Sequence, residues 1–287
     1  MFAMKKVITG ISRSVQKLSI VIATHNRAHF ISDAIQSILN QSYRDWELII
    51  IDDFSSDNTL DVVSKWQKIC PQIIYIKNAS NLGISKTYNI GFLKARGKYI
   101  AILDDDDQWS DPEKLQKQVE FLDANHDYVG CGGGMIVIDV SGKELYRYLT
   151  PQTDARIKKL SLFVSPMANS TTLFRKDSAL EVGLYDESIQ NACDKDFWLN
   201  LGSKGKLYNF GEYFAYYRVH DTNNTLKNLR NYIKDSSLVM SRYKNKYPYY
   251  FWAKKFYTLQ YLYTYIPRPF KKAIHHSLAS FRKKIFQ

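Results

Sequence analysis

Carboxylates follow two apolar segments of this sequence, and grouped carboxylates could hold a divalent cation. Four consecutive aspartates occupy positions 104–107 after one apolar run, and Asp52 and Asp53 follow another. Adjacent carboxylates repel one another, which raises their pKa values and destabilises a fold unless a cation or hydrogen bonds offset the charge. Oxygen-rich clusters suit Mg²⁺ or Mn²⁺, usually bound together with substrate phosphates. The two groups indicate one pocket for a nucleotide diphosphate and a metal; the alternative is a solvated acidic loop.

The elements that would position these carboxylates alternate between strands and helices. Four short runs rich in β-branched residues are typical of parallel strands covered by helices on both faces: 18–24, 47–52, 73–76 and 99–103. Helix-length segments alternate with them: 31–39, 59–69, 85–95 and 113–122. Ser110, Pro112 and Glu113 predict the start of the last helix. The alternation predicts an open α/β sheet whose ligand crevice lies beyond the carboxyl ends of its strands, where both acidic groups fall.

The pattern changes after residue 127. An apolar, Gly-rich segment at 128–139 and two further segments at 169–174 and 207–217 predict strands. A helix is predicted at 194–201, and no linker is evident before about residue 223. We therefore expect the sheet to continue into a second half of different construction.

The composition excludes several classes of protein. With 45% hydrophobic and 24% charged residues over 287 positions, the chain is not disordered, collagen-like or a small disulfide scaffold. Three widely spaced cysteines without a CxxC pair predict a reducing setting without structural disulfides or zinc. The sequence has neither a signal-peptide pattern nor the roughly 20 apolar residues that span a bilayer. We expect a cytoplasmic protein, either dissolved or peripheral on the inner face of the cell membrane.

The net positive charge is confined to the C-terminal part of the chain. From Asp221 onward the sequence holds 14 Lys and Arg but two acids, so this stretch carries the whole formal net charge of +12. Its last apolar residues fall on one arc of a helix: Phe270, Ile274, Leu278, Phe281 and Ile285. A basic amphipathic helix of this kind favours an anionic membrane surface. The alternatives are packing on the rest of the protein or binding of nucleic acid, which is disfavoured because no nucleic-acid-binding motif accompanies the patch.

Six segments in order along the chain form a recognisable set: SIVIATHNR at 19–27, ILNQSYRDWELIIIDDFSSDNT at 38–59, NLGISKTYNIGFLKARGKYIAILDDDDQWSDPEKL at 81–115, GLYDE at 183–187, DKDFWLNL at 194–201 and AYYRVH at 215–220. With them the chain, from about Leu18 to Thr225, resembles the inverting glycosyltransferases of family 2. The resemblance implies the GT-A fold, an α/β fold with a mostly parallel sheet flanked by helices. A GT-A catalytic domain would span 1–225, with a Rossmann-like nucleotide-binding half at about 18–127 and an acceptor half at about 128–225. Residues 226–287 would form a basic, aromatic, mainly helical extension.

The resemblance also implies a donor site at the ends of the first strands. Thr24, Asn26 and Arg27 would lie beside the nucleotide, and Asp53 would contact its uracil and ribose side. Position 88 holds tyrosine where many members of the family have arginine. Lys86 would supply that cation, unless it is simply exposed.

The aspartates at 104–107 match the DxD motif of the family. The resemblance implies that Asp104 and Asp105 contact the donor and that Asp106 holds Mn²⁺ or Mg²⁺. Asp107 is close enough to share the metal, and His220 falls where some members place a ligand near the metal or diphosphate. The alternative for His220 is a structural hydrogen-bonding role.

The resemblance assigns the general base to Asp194, in the position of the family's ED motif. Cys193 stands where that motif normally has glutamate, so the assignment rests on the aspartate and the following residues. The alternative is an acid favoured by the dipole at a helix N-terminus. Asp196, two positions along the helix, cannot face the same way.

These features predict a metal-dependent inverting glycosyltransferase. It would move a sugar from a nucleotide-diphospho sugar, UDP-linked, to a saccharide or lipid-linked acceptor in the synthesis of a surface polysaccharide or glycolipid. A nucleotidyltransferase that makes a nucleotide sugar is the alternative enzyme, although no Gly-rich phosphate loop follows the first strand. The other alternative is a non-catalytic protein that binds nucleotide sugars or nucleic acid.

Overall fold

The computed structural model describes residues 17–221, 223 and 228–266. Within them the strands are β1 (Leu18–Thr24), β2 (Trp46–Asp52), β3 (Ile73–Lys77), β4 (Tyr99–Ile102), β5 (Gln108–Trp109), β6 (Tyr128–Ile138), β7 (Glu144–Tyr148), β8 (Leu173–Arg175) and β9 (Lys206–Arg218). The helices are α1 (Ala28–Leu39), α2 (Thr59–Ile69), α3 (Ile84–Lys94), α4 (Lys114–Ala124), α5 (Asp154–Leu160), α6 (Lys176–Glu181), α7 (Cys193–Gly202), α8 (Leu229–Arg242) and α9 (Tyr250–Tyr263). The apolar arc predicted at 270–285 lies outside the described residues.

The strands form one sheet in the order β3-β2-β1-β4-β8-β6-β9-β5, with β7 also paired to β6. β1 pairs in parallel with β2 and β4, and β2 pairs in parallel with β3. β8 runs antiparallel to both β4 and β6 and joins the two halves of the sheet. Every residue of β1, β2 and β4 is buried. Helices covering both faces explain why these strands are apolar without alternation.

Apolar side chains cover both faces of the sheet. In β1, Val21 belongs to the cluster that includes Phe92 of α3, whereas Ile20 belongs to the cluster that includes Ile31 of α1. Burying one such side chain contributes about 1.5–3 kcal/mol. α3 approaches the strands at Gly91, where a Cβ atom would lie 2.4 Å from Val21 Cγ1. The close helix–sheet contact therefore requires glycine at this position.

Two predicted local features differ in the structure. Ser110 does not cap α4, because its Oγ donates to Tyr213 O at 2.8 Å, and Asp111 Oδ1 instead accepts from Glu113 N at 2.8 Å. The segment predicted as one strand at 169–174 is a 3-10 turn, Asn169–Thr171, followed by β8. Long-range contacts decide both outcomes, and the turn brings polar side chains to the acidic loop.

α8 and α9 share an apolar cluster with α7. Val239 and Met240 of α8, and Ala253 and Tyr257 of α9, belong to the same apolar cluster as Trp198 of α7. None of the described helices is long and apolar enough to cross a bilayer. The basic stretch is therefore, over its described part, packed on the rest of the protein.

Candidate active site

A cavity of about 450 Å³ lies at the carboxyl ends of β1, β2 and β4, where the alternation of strands and helices predicted a crevice. Its walls include side chains from the sheet, from α3 and from the start of α7 and α8: Thr24, Arg27, Asp53, Thr87, Tyr88, Asp104, Asp105, Asp106, Tyr185, Asn191, Cys193, Asp194, Tyr217, Asn223, Asn228 and Tyr232. Both acidic groups of the sequence and Asp194 thus border one space.

Asp104 is held by three hydrogen bonds from two elements, α3 and the turn Asn169–Thr171. Tyr88 OH donates to Asp104 Oδ1 at 2.6 Å, Ser170 Oγ to Oδ2 at 3.1 Å, and Asn169 Nδ2 to Oδ1 at 3.3 Å. Burial, and next the charge of Asp106, raise the pKa of Asp104. Tyr88, where many relatives were expected to have arginine, therefore positions the first aspartate of the motif.

Asp106 connects the acidic loop to the segment after β9 through side-chain contacts. Its Oδ2 atom lies 2.9 Å from His220 Nε2 and accepts from Asn223 Nδ2 at 3.3 Å. Arg27 Nη1 also donates to Asp106, and to Asp105 Oδ1 at 3.0 Å. Burial and the charge of Asp106 raise the pKa of Asp105 to about 7, while Arg27 lowers it. The Arg27 guanidinium thus offsets part of the repulsion within the loop.

Asp106 and His220 would supply one oxygen and one nitrogen ligand to a divalent cation. Asp106 Oδ2 and His220 Nε2 lie 2.9 Å apart, which is a hydrogen-bond distance, and the same oxygen is paired with Arg27 Nη1. No group of three or more acidic, His or Cys side chains that could hold a metal is found among the described residues. The remaining positions would be filled by phosphate oxygens and water, as is usual for Mg²⁺.

Asp107 does not border this cavity, although the sequence assigned it a share of the metal. Its side chain is buried and accepts from Ser170 Oγ, while Arg218 N donates to Oδ1 at 3.1 Å. Burial, and next the charge of Asp106, raise its pKa. The loop turns Asp107 away from Asp106 and towards β9, so its contacts are those of a residue that anchors the loop.

Thr24 and Asp53, at the ends of β1 and β2, line the cavity. Asp53 accepts from Asn78 Nδ2 at 2.9 Å and from the backbone N–H groups of Leu82 and Gly83 at 2.8 and 2.9 Å. The last two bonds attach the loop before α3 to the Asp53 carboxylate. Asp53 therefore shapes the wall of the cavity as well as bordering it.

Two residues predicted for the nucleotide side lie elsewhere. Asn26 has a φ of 54°, and its Oδ1 accepts from Ser56 N at 2.8 Å and Asp57 N at 3.3 Å. It orders the neighbouring loop and is not among the residues that line the cavity. Lys86 is exposed on α3 and is likewise not among them.

Asp194 lies in the first turn of α7 and faces the cavity. Burial raises its pKa to about 6. Cys193, at the position of the expected glutamate, is buried and also lines the cavity. Asp196 faces the other way, accepting from Tyr243 OH at 3.2 Å and lying 3.4 Å from Arg242 Nη1. A helix thus separates the two carboxylates, as its period requires.

Sequence reasoning missed several residues of the site. Asn223 contacts Asp106, and Asn228 and Tyr232 bring α8 to the cavity wall. Both α8 residues belong to the basic stretch, whose charge indicated a surface role. Nothing in their type or spacing distinguishes them from neighbouring asparagines and tyrosines. The acidic site is therefore not confined to the electrically neutral part of the chain.

Comparison with known proteins identifies the family. A family model described as glycosyl transferase family 2 matches residues 19–183. The chain belongs to this family. Over 250 residues it is 29% identical to an uncharacterized glycosyltransferase, MJ1057, of Methanocaldococcus jannaschii, covering 84% of this chain and 86% of that protein. Over 216 residues it is 32% identical to the putative glycosyltransferase EpsE of Bacillus subtilis, covering 74% and 75%. The family predicted from the six segments is confirmed.

A third relative, the putative teichuronic acid biosynthesis glycosyltransferase TuaG of Bacillus subtilis, is 37% identical over 105 residues, 37% of this chain and 41% of TuaG. Among solved structures, S. aureus TarS 1–349 in complex with UDP-GlcNAc has a TM-score of 0.64 at 18% identity, covering 86% of this chain and 71% of that one. The mannosyltransferase PcManGT from Pyrobaculum calidifontis, with GDP-Man and Mn²⁺, has a TM-score of 0.61 at 13% identity, covering 92% and 79%. These likenesses confirm the predicted GT-A fold.

Proposed function

We propose that this family 2 glycosyltransferase transfers a sugar, with inversion, from a UDP-linked donor to a saccharide or lipid-linked acceptor. The observation that supports the proposal is that one cavity is lined by two separate acidic features, the charged loop at 104–106 and Asp194, with its raised pKa. Donor binding would be the task of residues 18–127 and acceptor binding that of residues 128–225.

In this proposal the leaving diphosphate lies beside Arg27 and Asp106. A bound Mn²⁺ or Mg²⁺ would act as a Lewis acid that stabilises the charge growing on the leaving phosphate oxygen. Asp106 and His220 would hold it, and Arg27 would offset further negative charge. The Mn²⁺ in the complex of the mannosyltransferase PcManGT supports the choice of metal.

Asp194 would act as the general base. As the acceptor oxygen forms its bond to the anomeric carbon, the carbon–oxygen bond to the diphosphate breaks, and the acceptor proton passes to the Asp194 carboxylate. A base with a pKa of about 6 is largely ionised at neutral pH and still accepts a proton readily. In an inverting transfer the base and the acceptor would lie on the face of the sugar opposite the leaving diphosphate.

The UDP-linked donor is supported by the UDP-GlcNAc complex of TarS, and the polysaccharide role by the teichuronic acid name of TuaG. Thr24 and Asp53 border the space that the nucleoside would fill. The Asp53 carboxylate retains acceptor capacity beyond its three hydrogen bonds, so it can also meet a ribose hydroxyl or a base N–H.

We further propose that the enzyme works on the inner face of the cell membrane. The outer face of α9 exposes Phe251, Trp252 and Leu259, with exposed fractions of 78%, 66% and 66%. Lys254 and Lys255 lie among them, and residues 243–266 contain no acid. Aromatic and basic side chains together favour the interface of an anionic bilayer.

The decisive experiment measures nucleotide release from UDP-GlcNAc, UDP-glucose, UDP-galactose and GDP-mannose by the full chain in Mn²⁺. We expect slow hydrolysis of a UDP-linked donor that EDTA abolishes. With an accepted saccharide, the anomeric proton coupling in the NMR spectrum of the product should report the inverted linkage. No release from any of the four donors would contradict the proposal, and full activity in EDTA would contradict the metal.

A further inference from the structure

The wall of the cavity includes residues at the start of α8. Asn228, the residue before α8, and Tyr232, in the first turn of α8, both line the cavity. Tyr232 N donates to Asn228 O at 2.9 Å, which holds the two residues next to each other. The start of α8 therefore contributes to the wall of the cavity.

Tyr232 is half-buried, and its ring packs partly against the apolar cluster of α7 and α8. Burial, and next the negative charge of Asp194, raise the pKa of Tyr232. The Tyr232 hydroxyl is therefore close enough to Asp194 for the two groups to interact electrostatically, and Tyr232 also lines the cavity.

Hydrogen bonds and an ion pair fix α8 in this position. Asn191 Nδ2 and N both donate to Asp235 Oδ2, at 2.8 and 3.3 Å. Farther along the helix, Arg242 Nη1 lies 2.7 Å from Asp186 Oδ2. Because Asn191 lies two residues before α7, these bonds connect α8 to the segment that carries Asp194.

We propose that Asn228 and Tyr232, just beyond residues 128–225, form part of the binding site for the acceptor saccharide. This inference rests on the proposed function, in which an acceptor hydroxyl must reach Asp194. Carbohydrate rings present apolar C–H faces that pack on aromatic side chains, and orienting hydrogen bonds come from amides and hydroxyls. Tyr232 offers a ring near Asp194, and Asn228 offers an amide in the same cavity.

The test compares acceptor-free donor hydrolysis with transfer to octyl β-glucoside, octyl β-galactoside and octyl N-acetyl-β-glucosaminide. Tyr232→Ala should lower kcat/KM for the acceptor about tenfold, which corresponds to about 1.4 kcal/mol. Its donor hydrolysis and donor KM should stay within about twofold of the unmodified chain. Tyr232→Phe, which keeps the ring, should retain most of the acceptor kcat/KM. Tyr146→Ala, on the exposed strand β7, is the matched control and should behave as the unmodified chain.

Asn228 is exposed, and its side chain makes no cap hydrogen bond, so Asn228→Ala tests the inference even if Tyr232→Ala does not fold. We expect a raised acceptor KM at unchanged donor hydrolysis. Equal losses of hydrolysis and transfer in these variants, or equal losses in Tyr232→Phe and Tyr232→Ala, would overturn the inference. Failure of all three glycosides to raise nucleotide release, with hydrolysis intact, would overturn it while the donor chemistry stands. Absence of hydrolysis would instead count against the proposed function.

Discussion

Asp194 and Asp196 lie two positions apart on α7 and have different surroundings. Asp194 borders the cavity and carries a pKa raised by burial, whereas Asp196 is engaged by Tyr243 and Arg242 of the following helix. A group that must accept a proton needs contact with the substrate, and of these two carboxylates it is Asp194 that meets the cavity.

The raised pKa of Asp194 predicts the pH dependence of transfer. Below about pH 6 the carboxyl is protonated and cannot take the acceptor proton, so acceptor kcat/KM should fall about tenfold per pH unit and level off above it. Asp194→Asn should lower kcat at least about 100-fold and abolish this acid limb. The measurement is acceptor kcat/KM between pH 4.5 and 8.5, buffer values that bracket about pH 6.

Asp177→Asn provides the matched control, because Asp177 is an exposed acid in the first turn of another helix, α6. It removes the same helix-dipole interaction but no contact with the cavity. We expect its pH profile to match that of the unmodified chain. An acid limb that survives in the residual activity of Asp194→Asn would show that another group acts as the base.

Substitutions of Asp106 and Asp107 are predicted to have different effects, because Asp106 would bind the metal and Asp107 would anchor the loop. Asp106→Asn should raise the Mn²⁺ concentration needed for half-maximal hydrolysis at least about tenfold, because it removes a charged ligand beside His220. Asp107→Asn should leave that concentration unchanged and lower the melting temperature, because Asp107 is buried against Ser170 and the Arg218 backbone. Metal titration and thermal unfolding of both variants check this. If Asp107→Asn raises the required Mn²⁺ concentration more than Asp106→Asn does, Asp107 and not Asp106 would be the metal ligand.

Residue types and position predicted that the acidic loop with Asp104 and Asp106 belongs to the site, and the family resemblance added Asp194 and His220. They could not predict the direction of Asp107, which depends on how one loop turns. They also could not exclude Lys86, since its exposure depends on the rotation of α3. The structure brings the first four residues to one place, and their individual roles stay predictions.

At the scale of elements, three successive side chains in the first turn of α7 face three different parts of the protein. Asp194 faces the cavity, Asp196 faces α8, and Lys195 is fully buried beneath α9. Lys195 Nζ donates to Leu162 O at 3.2 Å and to Tyr257 OH of α9. Burial lowers the pKa of Lys195 to about 7. The position of Asp194 therefore depends on how both later helices pack.

Tyr257→Phe should destabilise the protein, because it removes a hydrogen-bond acceptor from a fully buried ammonium group. We expect a loss of about 1–3 kcal/mol in the free energy of unfolding, measured by urea denaturation. The matched control is Tyr261→Phe on the exposed side of the same helix, which should change the free energy by less than about 0.5 kcal/mol. Equal stability of the two variants would mean that Tyr257 packs as an aromatic ring alone.

The elements before residue 127 follow from the sequence more closely than the later ones. β1 has the predicted bounds, because continuous apolar runs distinguish strands buried on both faces. Beyond that point β8 is three residues long and lies between β4 and β6. Its place depends on pairing with distant strands, which local patterns do not encode.

At the scale of the whole molecule, charge and exposed apolar surface coincide on α9. Replacing Phe251, Trp252 and Leu259 together with serine should reduce binding to anionic vesicles at least about tenfold and leave donor hydrolysis intact, because none of the three lines the cavity. Flotation with vesicles of phosphatidylglycerol or phosphatidylcholine, at low and high salt, measures the effect. Part of the binding should resist salt, which screens charge but not apolar contact.

The control replaces three equally exposed apolar residues on α2 and α3 with serine: Leu60, Ile69 and Leu93. This variant should bind vesicles as the unmodified chain does. Binding that is unchanged in the α9 variant would assign the membrane contact to another surface, and equal losses in both variants would show general apolar adsorption.

The contribution of α8 to the cavity has a consequence for synthesis on the ribosome. The strands β1 to β4 and the acidic loop emerge first, and a growing chain is extended at about 5–20 residues per second. Asn228 and Tyr232 follow more than a hundred residues after the acidic loop, and Tyr257, the partner of the buried Lys195, follows later still. A nascent chain can therefore form these strands while the cavity wall supplied by the start of α8 is still missing. Under the proposed function, sugar transfer would become available only after the C-terminal helices have left the exit tunnel and docked.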